Sequence, residues 1–176
     1  MEDTMKQGKY AKFFLMIITS MVSMYVLSYL NSWEIFGHAF FSETRLFMVM
    51  MMGGAMAIIM LSFMLGMYPN TKANMAIYAG SVVVMAAALA LVRSQETVDD
   101  VDFMEGMIPH HSIAILTSTR AEIEDRRVRK LADEIISAQK REIKEMSWLI
   151  DDIRANGVAA DQQKADTRPV PEFSGE

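Results

Sequence analysis

The sequence predicts an all-α protein: three transmembrane helices, then an extracytoplasmic helical hairpin that oligomerisation completes to a four-helix bundle. Three observations carry this. The chain is mostly apolar up to Val92 and charged beyond it, with 12 Lys+Arg against 18 Asp+Glu from Arg93 onward. Three apolar stretches reach the roughly 20 residues a helix needs to cross hydrocarbon. The charged half places apolar residues at helical spacing between capping residues. An acidic balance excludes a basic nucleic-acid face. The absence of cysteine excludes disulfides and thiolate metal sites, so a metal here must use His, Met, carboxylates or backbone.

The spans are expected at about 11–30, 46–68 and 75–92, giving a membrane domain over 1–92. Lys6, Lys9 and Lys12 precede the first, but the "NSWE" after it offers no small-residue cleavage site, so the segment reads as a retained anchor. Lys6, Lys9, Lys12 and Lys72 flank one side of the membrane and Arg45 and Arg93 the other. The positive-inside rule puts the N-terminus in the cytoplasm and the charged half in the periplasm or outside the cell, on a bacterial plasma membrane. The hairpin occupies 93–155. Thr97 and Asp100 signal a first helix running from Val98 to about Glu122, with Gly106 and a kink at Pro109 inside it. Asp125 caps a second helix, Arg126 to about Ala155, which Asn156-Gly157 stops. The polar, Pro-containing remainder, 156–176, reads as a disordered tail.

"DFMEGMIPHHSIAI", Asp102 to Ile115, concentrates the chemistry. It holds two of the three histidines and two of the 18 methionines. Met104, Met107, His111, Ala114, Ile115 and Ser118 share one helical face, with His110 at its edge near Phe103. On the second helix Val128, Leu131, Ile135, Ala138, Met146, Leu149 and Ile153 form the inward stripe, and Gln139 and Glu142 fall within it. A carboxylate in a core stripe is costly unless paired or liganded. Antiparallel packing brings the Met104–His111 turns beside Glu142–Met146. Thioethers with imidazole suit copper, especially Cu(I), better than magnesium or calcium. The expected metal residues are therefore Met104, Met107, His110, His111, Glu142 and Met146. The bland alternatives are core-filling methionines, surface histidines and a Glu142 that pairs with Arg or Lys.

"FMEGMIPHHSIAI" followed by "RVRKLADEIISAQKREIKEM" resembles the bacterial domain-of-unknown-function family 305, over about Val98 to Asp152. The resemblance implies a ferritin-like fold, some of whose periplasmic members bind copper. It places Met104, Met107, His110, His111, Gln139, Glu142 and Met146 at motif positions. Family members commonly carry a methionine six residues after the second histidine, where this chain has Thr117. A methionine-rich site could therefore be one ligand short, or completed by another subunit.

Met48, Met52, Met56, Met60 and Met64 recur every fourth residue in the second span. They fit either apolar packing or a relay of soft ligands carrying Cu(I) through a Met-rich oligomer. Gly53-x-x-x-Ala57 offers a surface for close helix approach. His38, in the loop "NSWEIFGHAFFSETR", is a candidate for a metal entrance. No enzyme is expected. A di-iron centre needs two Glu-x-x-His pairs, and no Glu stands three residues before a His. Ser112 and His111 diverge by about 100° on a helix, and phosphate-loop and zinc-protease motifs are missing. The function expected is copper handling or tolerance by a membrane-anchored binder that pairs with copies of itself. The non-metal alternative is a tethered oligomerisation module.

Overall fold

The computed structural model describes residues 2–176, with side chains from Gly8 onward, so the side chain of Lys6 lies outside those described. Six α-helices and no strand occur among the described residues: α1 (Glu2–Leu27), α2 (Glu43–Phe63), α3 (Thr71–Ser94), α4 (Asp100–Arg120), α5 (Arg126–Asn156) and α6 (Gln162–Thr167). They belong to two units. One comprises Met1–Ser28 with Glu43–Thr97, and the other Tyr29–Ser42 with Val98–Glu176.

The first unit holds three helices long and apolar enough to cross a membrane: Gly8–Leu27, Glu43–Phe63 and Thr71–Ser94. α2 stops at Phe63, short of the expected Tyr68, because the chain tightens into a 3₁₀ turn at Leu65–Met67 before Pro69. Asn70 then caps α3, its side-chain oxygen accepting from the Ala73 N–H. α2 packs against both neighbours and buries Val49, Gly53, Gly54, Ala57 and Leu61. A Cβ on Gly53 would stand 2.4 Å from Met21 Sδ of α1, and one on Gly54 2.6 Å from Met85 Cγ of α3. The two glycines thus receive one methionine from each neighbour, as close helix approach in lipid requires. Tyr10 closes one end, donating to Asn74 Oδ1 at 2.8 Å, while Asn74 Nδ2 donates to the Tyr68 carbonyl. The outer faces expose Leu15, Ile18, Val22, Val26, Val82, Val83 and Leu89. Lipid solvates such faces and water does not.

The α2 methionines divide between environments. Met48 and Met52 are exposed, whereas Met56, Met60 and Met64 pack against the core of Phe13, Ile17, Leu61 and Ile77. Steps of four residues drift around the helix, so the series does not form one line.

The second unit is built on the α4–α5 hairpin. Asp99, rather than Thr97, caps α4, accepting from the Val101 and Asp102 N–H groups. The helix continues through Gly106 and Pro109 to Arg120. Asp125 caps α5 by accepting from Arg127 N. The Arg127 side chain also bonds to it, holding the Asp125 carboxyl down at about 2. Gly157, at φ 76°, ends α5 in a conformation open to glycine. Three polar rungs set the antiparallel register: Glu105–Arg154 at 2.6 Å, His111–Glu142 at 2.9 Å, and Arg129 to the Ser118 carbonyl at 2.9 Å.

The core of this unit is Met104, Ile108, Ile115, Ile143 and Ile150, with Ile136, Met146, Leu149 and Ile153 packed on it. The expected α5 stripe is therefore shifted: Ala132 and Ile143 turn inward, while Val128 and Leu131 are exposed. Two segments that sequence periodicity cannot see also pack on this unit. The loop 29–42 covers one side, placing Phe40 on the core. The expected disordered tail instead carries α6 and folds back, Arg168 bonding to Asp152 at 2.7 Å and to the Gly157 carbonyl. Lys144 Nζ holds the Ser174 and Glu176 carbonyls.

Candidate metal site

A cleft of about 1070 Å³ runs along the hairpin and under the tail. Met104, Met107 and His111 of α4 line it from one side, and Glu142 and Met146 of α5 from the other. Antiparallel packing brings these five together across more than thirty residues of sequence. The walls beyond them are mixed: Phe103, Leu149 and Ile153 are apolar, Asp100, Glu145 and Asp152 are charged, and tail residues Val158, Asp166, Arg168, Pro169 and Val170 cover the cleft.

His111 is the pivot. Its Nδ1 lies 2.9 Å from the Met107 carbonyl, one turn back on its own helix. A carbonyl only accepts, so Nδ1 carries the hydrogen. Its Nε2 lies 2.9 Å from Glu142 Oε2. The carboxylate thus sits on one ring nitrogen without leaving the other free. Both nitrogens are engaged, and Nε2 is the one an ion could take, in competition with Glu142. The Nδ1–H bond to Met107 would orient the ring for that role, as outer hydrogen bonds do for ligating histidines. Glu142 has a second neighbour in Arg141, at 3.6 Å.

His110 does not join this group. It is exposed, does not line the cleft, and stands with its ring 6.3 Å from that of His111, nearly perpendicular. Adjacent helical residues diverge, so only one of the pair can face α5. Gln139 also lies outside the cleft lining. Thr117 is exposed, its hydroxyl bonded to the Ile113 and Ala114 carbonyls. A methionine missing there takes no donor from the cleft.

Among the described residues no three His, Cys, Asp or Glu side chains group as metal ligands. A hard cation seeking several oxygens finds only part of a shell here. Three thioethers and the His111 imidazole stand in the cleft with Glu142, a set that fits a soft ion, and the lining also carries Asp100, Glu145, Asp152 and Asp166.

His38 is not at the cleft. Its Nδ1 lies 2.8 Å from Ser112 Oγ, which also accepts from the Trp33 N–H at 2.7 Å. Since that oxygen accepts from Trp33, its own hydrogen is free to point at Nδ1, leaving Nε2–H toward Glu34 at 3.8 Å. Burial pushes the His38 pKa down from its ordinary value, and the nearby Glu34 charge opposes that only in part. Ser112 is completely buried, which suits a structural clasp and not a nucleophile. Sequence reasoning missed Ser112 and the tail's Arg168. For Ser112 the signal was present: it is the polar member of the line Met104, Ile108, Ser112, Ile115.

The family model described as "Domain of unknown function (DUF305)" matches residues 82–173. The match begins within α3 and runs through the tail, beyond the hairpin on both sides. An uncharacterized protein of Acanthamoeba polyphaga mimivirus is 33% identical over 141 residues, covering 78% of this chain and 90% of the relative. Residues 82–176 are only about half of the chain, so that similarity extends into the membrane helices. No solved structure matches.

Proposed function

We propose that this chain, which belongs to the DUF305 family, is a membrane-anchored metal-binding protein that takes Cu(I) in the hairpin cleft for copper handling or tolerance. One observation carries the reading: five of the six side chains singled out for their chemistry line one cleft. Met104, Met107 and Met146 would supply thioethers and His111 its Nε2, with Glu142 beside them. Bound copper would supply a soft cationic centre for storage or transfer. The folded-back tail would cover part of it, and no catalytic step is assigned. Charge on the flanks of the spans, Lys9, Lys12 and Lys72 against Arg45 and Arg93, supports a cytoplasmic N-terminus and an external hairpin on a bacterial plasma membrane. The chain contains no cysteine, so an Ala160→Cys variant labelled from outside intact cells tests that orientation.

The metal test is copper stoichiometry of the purified full-length protein loaded under reducing conditions. His111→Ala and Met146→Leu should each lose bound copper, while His110→Ala should keep it. Full stoichiometry in His111→Ala would overturn the assignment. A second reading, self-association without metal, is favoured by the exposed Val128 and Leu131 on α5. It predicts a dimer or larger assembly by light scattering in detergent, reduced to monomer by Leu131→Glu, with no copper bound by any variant.

A further inference from the structure

The loop between α1 and α2 is built inside out. Several polar side chains face the protein: Ser32 and Ser42 are each only 4% exposed, and His38 is bonded to buried Ser112, while Asn31 and Glu34 are exposed. Apart from Phe40, which packs on the core, its large apolar side chains face away. Phe36 is 97% exposed, and Leu30, Ile35 and Phe41 are exposed with it. In water this is the wrong way round, since large apolar groups gain by burial and hydroxyls do not. The loop is fastened at both ends to apolar helices, α1 ending at Leu27 and α2 beginning at Glu43. Turn hydrogen bonds, Ser32 N–H to the Tyr29 carbonyl and His38 N–H to the Glu34 carbonyl, keep it short. Tyr25, Tyr29 and Trp33 stand at the end of α1 and in the loop, and Tyr and Trp are the residues enriched where chains meet the headgroup region of a bilayer.

We infer that the outward face of loop 29–42, with Phe36 at its tip, seats in the headgroup–acyl boundary of the lipid bilayer. A lipid surface is the occupant that continuity selects, because both neighbouring helices are read as spans. Seating covers the exposed apolar side chains, while the clasp on Ser112 holds His38 and the Trp33 N–H on the inward side. The inference rests on the membrane reading of α1–α3 and is independent of any metal.

The test uses full-length protein in lipid vesicles and single-tryptophan variants. Phe36→Trp is made in a Trp33→Phe, Trp148→Phe background, and Val83→Trp in the same background serves as the mid-span control. Quenching is compared between lipids brominated near the headgroup end of the acyl chain and lipids brominated near the bilayer centre. The expected result is blue-shifted emission from the Phe36→Trp probe, lost mostly to the shallow quencher, and loss from Val83→Trp mostly to the deep one. Native Trp33, isolated by Trp148→Phe alone, checks the loop without altering its tip and should also respond to the shallow quencher. Solvent-like, unquenched emission from both loop probes beside a quenched Val83→Trp would overturn the loop assignment alone. An unquenched Val83→Trp would overturn the membrane reading and this inference with it.

Discussion

The two units bury side chains for opposite reasons. In the three-helix unit apolar residues lie on every side of the spans, so apolarity alone does not select a face; close approach is set by the small Gly53, Gly54 and Ala57, beside the buried Phe13 and Leu61. In the hairpin unit most residues are polar. There the packed faces are selected by isoleucines at helical spacing and by polar pairs such as His111–Glu142 and Ser112–His38. Small residues set how closely the span-length helices approach, whereas polar pairs set the register of the hairpin.

Gly54→Leu would break that contrast most sharply. The substitution makes α2 more apolar, yet its Cβ meets Met85 Cγ at 2.6 Å and the Ser81 carbonyl oxygen at 3.1 Å. The backbone oxygen cannot swing away as a methionine can. Overpacking should cost about 3 kcal/mol, read as a lower midpoint in denaturant titration of the detergent-solubilised protein. Gly53→Ala should cost less, because its neighbours are all atoms of the flexible Met21 side chain.

In the hairpin unit the corresponding test removes a hydroxyl instead of adding carbon. Ser112→Ala leaves the Trp33 N–H and His38 Nδ1 without their partner, at about 1–3 kcal/mol. Exposed Thr119→Ala is the control and should leave the melting temperature unchanged. Equal effects from the two variants would mean that the clasp is not formed.

A smaller effect is expected from Arg168→Ala, which frees the tail from Asp152. About 1 kcal/mol, appropriate to a partly exposed pair, should appear as faster proteolysis and amide exchange after Gly157, with α4 and α5 unaffected.

The smallest effect is on pH. The folded-state pKa of His38 lies below 6.5 because burial disfavours its charged form. Folding is therefore helped by neutral His38 above about pH 6.5, and that help is lost as pH falls through the lower folded value. The melting temperature should drop on acidification through this window, and less so in His38→Gln. Equal slopes for the two proteins would remove His38 from the clasp.

Much of the molecule was legible without coordinates. Three apolar runs of spanning length located α1, α2 and α3, because the hydrocarbon thickness sets a length that sequence displays directly. Asp125 and Gly157 marked the ends of α5, since capping is a local matter of one side chain and one φ angle. The pairing of Met104–His111 with Glu142–Met146 followed from antiparallel geometry alone.

Tertiary structure decided the rest. A period of 3.6 residues tells which residues share a face but not what will cover it. The loop 29–42 lies far from the hairpin in sequence, the tail follows it directly, and neither carries a periodicity that shows where it docks. The loop supplies the partners of Ser112 and puts Phe40 on the core, the tail roofs the cleft with Val158 and Val170, and neither covers Val128 or Leu131, which stay exposed. Which of two adjacent histidines faces α5, and which ring nitrogen meets a carboxylate, likewise depended on the exact phase of α4. Faces and caps are local properties written in the chain, whereas cover and phase come from segments that only folding brings together.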